Sequence, residues 1–296
     1  MTGSSDHCAK QGLPDDPAGL FVRLWQRVIA PTQTLTAKHW PIAPDGWRTP
    51  MRIVMVSDLH MAAPYMPLSR LDDIVARAQA LTPDLILLPG DLTPGPKHVP
   101  TREPPLDDIT ARLARLTAPL GRYAVLGNHD WWDDAAAQDR KAGPVAAALA
   151  LEAAGIPVLS NRAVELPNGV WLAGLESQEA INEGKGRIYG RDDLDATLAQ
   201  VPDGAPVILM AHEPNIFPKV PDRVALTVSG HTHGGQIRLF GWPPIVPSTI
   251  DRRYVYGHIR EGARHLVISA GLGYSKLPIR IGTPPEITVV DLSAAA

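Results

Sequence analysis

The chain has 296 residues, 28 basic and 31 acidic side chains, a net charge of −3 and 45% apolar residues. This composition supports a sizeable core and excludes a disordered chain; the slight acidic balance speaks against a nucleic-acid polymer as partner, which would call for a basic face. A single cysteine, Cys8, excludes a disulfide framework, a cysteine-ligated zinc site and an iron–sulfur cluster.

Residues 1–17 are polar, contain Pro14 and Pro17, and are expected to be loose. No basic stretch leads into an apolar one, and no run reaches about 18 apolar residues, so neither a signal peptide nor a membrane span is expected. The expected location is the cytoplasm. Over residues 18–30, Leu20, Phe21, Leu24, Trp25, Val28 and Ile29 share one helical stripe, with Arg23, Gln26 and Arg27 opposite. Two readings stay open: a helix packed on the body, or an interfacial helix making a peripheral contact at the inner face of the membrane. Pro31, Pro41, Pro44 and Pro50 mark an extended connection. The expected organisation is an N-terminal extension over 1–50 and one domain over 51–296.

Within that domain, 51–57 reads as a buried strand. A helix follows over 69–81, with Leu71, Ile74, Val75 and Ala78 on one face and Ser69 with Asp72 as a capping pair. Residues 84–88 form a strand, Leu106, Ile109, Leu113 and Leu116 mark a helix, 123–126 a strand, and 144–154 a helix closed by Gly155. This β-α-β-α-β-α run predicts a largely parallel sheet. The second half is strand-rich, with candidates over 164–166, 170–173, 206–211, 225–229, 236–240, 253–259, 265–269 and 287–291, and one helix over 192–200. The halves would stack as two sheets with helices outside.

Five short segments follow predicted strands, where open α/β sheets bind ligands. They are Asp58-Leu59-His60, Gly90-Asp91, Gly127-Asn128-His129-Asp130, His212-Glu213-Pro214, and Gly230-His231-Thr232-His233-Gly234-Gly235. Carboxylates and imidazoles without thiolate suit manganese, iron, zinc or nickel. Asp58 and His60, two apart on an extended segment, point the same way and can share one ion; His231 and His233 repeat that spacing. Asp91 can bridge two ions, and Asn128 adds an amide oxygen. Taken singly, each piece is weak; all five in this order predict a two-metal site.

The order D-x-H, G-D, G-N-H-D, H, G-H-T-H resembles the calcineurin-like metallophosphoesterase superfamily over about residues 51–292. The resemblance implies an α/β fold, a four-layer αββα sandwich of two mixed sheets flanked by helices. It implies that Asp58, His60 and His233 bind one metal, that Asn128, His212 and His231 bind the other, and that Asp91 bridges them. His129 matches the family histidine that contacts the phosphoryl group or protonates the leaving oxygen; Asp130 is a candidate to orient it, by proximity alone. In the mechanism so implied, two such cations would lower the pKa of a water between them from about 15.7 toward neutrality and so supply a hydroxide for in-line attack on phosphorus.

Serine/threonine protein phosphatases of the superfamily carry G-D-x-V-D-R-G and G-N-H-E. Here Asp91 is followed by Leu92-Thr93-Pro94-Gly95, and His129 by Asp130. Gly230 to Gln236 (GHTHGGQ), Gly271-Leu272-Gly273, Leu277-Pro278-Ile279-Arg280 and Pro285-Glu286-Ile287 resemble a bacterial phosphodiesterase subgroup often attached to membranes, which includes enzymes similar to UDP-2,3-diacylglucosamine pyrophosphatase of lipid A synthesis. The expected activity is hydrolysis of a phosphodiester or pyrophosphate bond in a small-molecule or lipid-linked substrate. A catalytically inactive binding scaffold would have lost a ligand, and none is lost; a nuclease of the superfamily is the third reading. The expected site walls are residues 93–105, Trp131 with Trp132, and residues 240–247, whose apolar side chains could stack a base or hold acyl chains. The alternative is that the tryptophans cover the core edge and the loop at Trp242 packs or forms a lid.

Overall fold

The computed structural model describes residues 17–246 and 249–295. Contacts divide the chain between Thr32 and Gln33 into two compact units. In the smaller, α1 (Pro17–Leu24) continues through a π-helical turn over Trp25–Ile29 and a 3₁₀ turn over Ala30–Thr32. The segment expected to be loose, with Cys8, lies outside the described residues except for Pro17.

The larger unit is built on two mixed sheets. The first has the order β1 (Thr36–Ile42), β13 (Glu286–Leu292), β2 (Met51–Met55), β3 (Leu85–Leu88), β4 (Arg122–Ala124). Only the β13–β2 pair in it is antiparallel. The second has the order β11 (Gly257–Glu261), β12 (Arg264–Ile268), β10 (Val224–Ser229), β9 (Val207–Met210), β6 (Trp171–Gly174), β5 (Arg162–Glu165). Its two edge pairs are antiparallel and its interior is parallel. A short ribbon, β7 (Ile181–Asn182) with β8 (Ile188–Tyr189), stands apart.

Period-2 alternation decides which side chains meet between the sheets. Ile53, Met55, Leu85 and Leu87 of the first join Leu172, Ile208, Met210, Leu226, Val228 and Val267 of the second in one buried cluster. The alternate residues Val54, Ile86 and Leu88 are also buried, which requires an outer layer. The helices α2 (Leu68–Ala80) and α3 (Leu106–Leu113) bury Leu71, Ile74, Val75, Ala78, Ile109 and Leu113. Behind the second sheet, Val207, Leu209, Leu266 and Ile268 pack with Phe217, Tyr254 and Leu198. Strands covered on both faces explain the continuous apolar runs at 53–56 and 85–88. Among the described residues no helix is long and apolar enough to cross a membrane.

Four expectations are corrected. Residues 36–42, read as a connection, form β1, so the compact boundary falls at Thr32/Gln33 rather than after residue 50. Pro41 is tolerated there because β1 is an edge strand. Residues 236–240 are not a strand: Gln236 and Phe240 have φ of 44° and 52°, which breaks extension, and only the bridges Ile237–Ile281 and Leu239–Trp242 remain. The strand expected from 253 begins at Gly257, after a 3₁₀ turn over Arg252–Tyr254. Finally, α2 starts behind Pro67 with no side-chain cap, so Ser69 and Asp72 do not form the capping pair.

Leu87 is fully buried between the sheets. Leu87→Ala should lower the unfolding free energy by about 2–5 kcal/mol, read as a lower urea midpoint at unchanged slope. A shift under about 0.5 kcal/mol would show that the two sheets do not share one core.

Candidate metal centre

The predicted segments all lie just beyond the carboxyl ends of strands: Asp58 and His60 after β2, Asp91 after β3, Asn128 after β4, His212 after β9, and His231 and His233 after β10. The first sheet delivers four of these side chains and the second three. Loop-to-loop bonds hold the ends in register: Asp58 N–H donates to the Gly90 carbonyl, His60 N–H to that of Asp91, and Gly230 N–H to that of His212.

Asp58, His60, Asp91, His231 and His233 have φ of 53°, 45°, 58°, 70° and 52°. A non-glycine residue there costs on the order of 1–2 kcal/mol and persists only where its surroundings enforce it. The expected reason for Asp58 and His60 converging, an extended segment, is therefore replaced: left-handed turns aim both side chains inward. Two glycines make room. A Cβ on Gly127 would lie 2.2 Å from Asp91 Oδ1, and one on Gly230 2.5 Å from Asp58 Oδ2.

Two buried trios have their ligand atoms within 4.8 Å of one another: Asp58, His60 and His233, and Asp91, His212 and His231. His60 Nε2 is 3.0 Å from His233 Nε2. Asn128 Oδ1 is 2.9 Å from His231 Nδ1 and 3.2 Å from His212 Nε2. Asp91 Oδ2 is 3.4 Å from His60 Nε2 and 3.2 Å from His212 Nε2, so one oxygen reaches both trios. Donors at about 2.0–2.1 Å from a common ion are about 2.9–3.4 Å apart for octahedral to tetrahedral angles. The observed spacings fall in that range, and the donor set of imidazole, carboxylate and amide oxygen suits divalent ions.

Second contacts orient these donors. His60 Nδ1–H donates to the Pro94 carbonyl at 2.7 Å and His212 Nδ1–H to that of Pro89 at 2.6 Å, which leaves each Nε2 lone pair facing the site. Asp58 accepts from Ser57 Oγ at 2.5 Å and from His231 N–H at 2.8 Å. Arg280, buried at 5% exposure, lies with Nη2 3.0 Å from His233 Nδ1 and donates to the carbonyls of His233 and Gly273. The positive guanidinium beside the ring disfavours a charged His233.

The electrostatics fit the same picture. Burial, then the charge of His212, holds His231 down to about 3. Burial, with His60 and Arg280, pushes His233 well below the ordinary value. Burial would lower His60 and His212 too, but Asp91 outweighs it and raises both, His212 far above the usual range. Burial would raise Asp91, yet His212 and His129 hold it well below the carboxylate range.

His129 sits at the rim, its ring 5.2 Å from that of His60 and its N–H bonded to Asp91 Oδ1. Its Nδ1 is 3.8 Å from Asp133 Oδ2. Asp130, the candidate by proximity, does something else: its carboxylate accepts N–H bonds from Gly127, Asp91 and Leu92 and ties two ligand loops together. Trp131, expected as a site wall, is only 2% exposed, and its indole N–H is taken by Glu176; it packs behind the site. Trp132 packs its ring edge-on against His129, 5.2 Å between centroids. Asp133 was missed although its i,i+4 spacing from His129 on one helix was a usable signal. The Pro89 and Pro94 carbonyls left no signal, since any residue supplies one.

Strand ends from two sheets, presenting a divalent-ion donor set that shares one carboxylate, define a metal-dependent phosphoester hydrolase once the sequence family is added. The calcineurin-like phosphoesterase family model matches residues 51–235, and the chain belongs to that family. It is similar to YkuE, an uncharacterized metallophosphoesterase of Bacillus subtilis (strain 168), at 29% identity over 91% of this chain and 89% of that one. It is also similar to an uncharacterized metallophosphoesterase of Aquifex aeolicus (strain VF5), at 29% over 82% and 85%, and to phosphodiesterase YaeI of Escherichia coli (strain K12), at 31% over 82% of each chain.

The raised histidines make metal binding pH-dependent. Protons on His60 and His212 stabilise the metal-free chain fully below the ordinary histidine pKa of about 6.5, and this contribution fades as pH rises through the raised values. A metal ion competes with those protons. Affinity for Mn²⁺ or Zn²⁺ should therefore rise from about pH 6 to about pH 9, with proton release measurable by titration calorimetry in buffers of different ionisation heat. Constant affinity without proton release would contradict the charge balance described above.

Proposed function

We propose that the chain hydrolyses phosphodiester or pyrophosphate bonds of a small-molecule or lipid-linked substrate at a dinuclear centre. Asp58, His60 and His233 hold one ion, Asn128, His212 and His231 the other, and Asp91 both. The observation that carries this reading is Asp91 Oδ2, within 3.4 Å of His60 Nε2 and 3.2 Å of His212 Nε2. Manganese, iron, zinc and nickel all suit these donors.

Bound there, the ions supply Lewis-acid polarisation of phosphoryl oxygens and a more acidic water. The protein's own groups do the rest. His129 protonates the leaving oxygen from the rim, and the Asp133 carboxylate stands 3.8 Å from its Nδ1, beyond hydrogen-bond distance in this structure. The Asp91 carboxylate also accepts the His129 N–H, which ties the acid's backbone to the shared ligand. Preference for diesters is supported by the residues after Asp91, Leu92-Thr93-Pro94, which lack the arginine of the protein phosphatases, and by similarity to a protein named phosphodiesterase.

Asp91→Asn should lose metal and activity together; retention of both ions and near-native turnover would remove the bridge. His129→Ala should keep its metal content but slow by about 10²–10⁴-fold on alkyl esters, with a smaller deficit on nitrophenyl esters, which need little protonation. An equal deficit across leaving groups would give His129 an electrostatic role instead. The parent chain should turn over bis-nitrophenyl phosphate faster than nitrophenyl phosphate or a phosphoserine peptide, and the reverse order would overturn the diester reading.

A further inference from the structure

Three residues beyond His233 the chain leaves the metal centre and makes a short hairpin whose sequence does not suit its geometry. Leu239 N–H donates to the Trp242 carbonyl at 2.9 Å and Trp242 N–H to that of Leu239 at 3.0 Å, closing a two-residue loop. The central residues, Phe240 and Gly241, have φ of 52° and 84°, as in a type I′ turn. That turn favours Asn, Asp or Gly at its first central position, and a bulky aromatic there is costly. The Phe240 side chain offsets none of this by packing, for it is fully exposed at 110%.

The neighbours of Phe240 are also apolar and uncovered. Trp242 is 58% exposed, Ile245 71%, and Leu239 51%. Leu277 and Ile281 continue the patch from a second segment. The two segments are joined by Arg238 N–H to the Ile281 carbonyl at 2.7 Å, Ile281 N–H to that of Gln236 at 3.0 Å, and Gln236 Nε2 to that of Leu277 at 2.9 Å. Scattered exposed apolar residues need no explanation, but a contiguous group around a protruding aromatic does.

The charged side chains of the two segments that carry the patch are all basic. Neither 231–250 nor 270–285 contains an acidic residue, whereas Arg238, Lys276 and Arg252 lie in or beside them. The Arg252 guanidinium stands 5.0 Å over the Trp242 ring and bonds the Pro243 carbonyl at 2.9 Å. Asp251 is the one acid between 231 and 260, and its carboxylate is turned onto the Arg253 N–H at 2.9 Å. A convex aromatic and aliphatic tip in a cationic collar complements a deformable anionic surface, with apolar groups entering below the headgroups and cations remaining among them.

We propose that this hairpin, with Ile245, Leu277 and Ile281, docks the protein on an anionic lipid bilayer. Arg238 Nη1 donates to the Gly234 carbonyl at 3.3 Å, so the docking element is braced against the loop carrying His233, and docking holds the metal centre at the headgroup layer. None of its residues belongs to the stripe over 18–30. The test reads binding rather than turnover, so its failure leaves the phosphodiester reading intact.

Full-length protein should co-sediment with phosphatidylglycerol/phosphatidylcholine vesicles and not with phosphatidylcholine alone. Binding should weaken more than about tenfold between roughly 0.05 and 0.5 M salt as the Debye length shrinks. Phe240→Asn suits the turn better, so it should keep or raise the thermal midpoint and leave metal content unchanged while weakening vesicle binding about tenfold or more. Trp242→Ser with Ile245→Ser should abolish binding. The proposal is overturned if these variants sediment as well as the parent, or if Leu20→Ser with Leu24→Ser abolishes binding instead. It is equally overturned if the parent ignores vesicles, whether it stays monomeric or forms a concentration-dependent dimer that Phe240→Asn dissolves; the dimer would assign the patch to a second copy.

Discussion

Two carboxylates, Asp58 and Asp91, are buried at 0% and 1% exposure among four imidazoles, with no Lys or Arg within ion-pair distance among the described residues. Such charge is expensive to bury unless a cation or a proton answers it. Most of the local architecture serves that requirement. Five ligands adopt left-handed backbone, two glycines let Asp91 and Asp58 approach the neighbouring loops, and carbonyls of Pro89 and Pro94 take the outer histidine protons. The sandwich supplies the rigidity, because its parallel strand ends are anchored by side chains buried on both faces.

The fold was legible where a segment's environment was uniform. Residues 53–56 and 85–88 are covered on both faces, so their apolar runs read directly as strands, and the helix face Leu71, Ile74, Val75, Ala78 reappears intact in α2. Legibility failed where a strand's role was set by its partner. β1 carries Lys38, His39 and Pro41 and is held by its parallel pairing with β13, a partner 250 residues away in sequence (Thr36 with Glu286). No local pattern announces such a pairing. The opposite error at 236–240 has the same origin: apolar side chains suggested extension, whereas two positive φ values make a bridge and a hairpin.

The seven candidate ligands come together as two trios plus Asn128 because their chemistry is carried by side-chain identity and by position after a strand, both visible in sequence. Supporting groups were less visible. Arg280 stood out within Leu277-Pro278-Ile279-Arg280, yet its contact with His233 spans 47 residues and depends on a buried path through Gly273. Trp131 and Trp132, adjacent in sequence, part ways because the rotation of about 100° between neighbouring helical residues sends the first behind the site to Glu176 and the second against His129.

Asp130 shows how a group outside the ligand set holds the loops that carry it. Burial, then the charge of Asp91, raises its carboxyl to about 7, although three backbone N–H groups favour the ionised form. The three N–H bonds come from the 90–92 and 127–130 segments, which present Asp91 and Asn128. One buried carboxyl therefore ties together the loops that present two of the candidate ligands, although it is not itself among them.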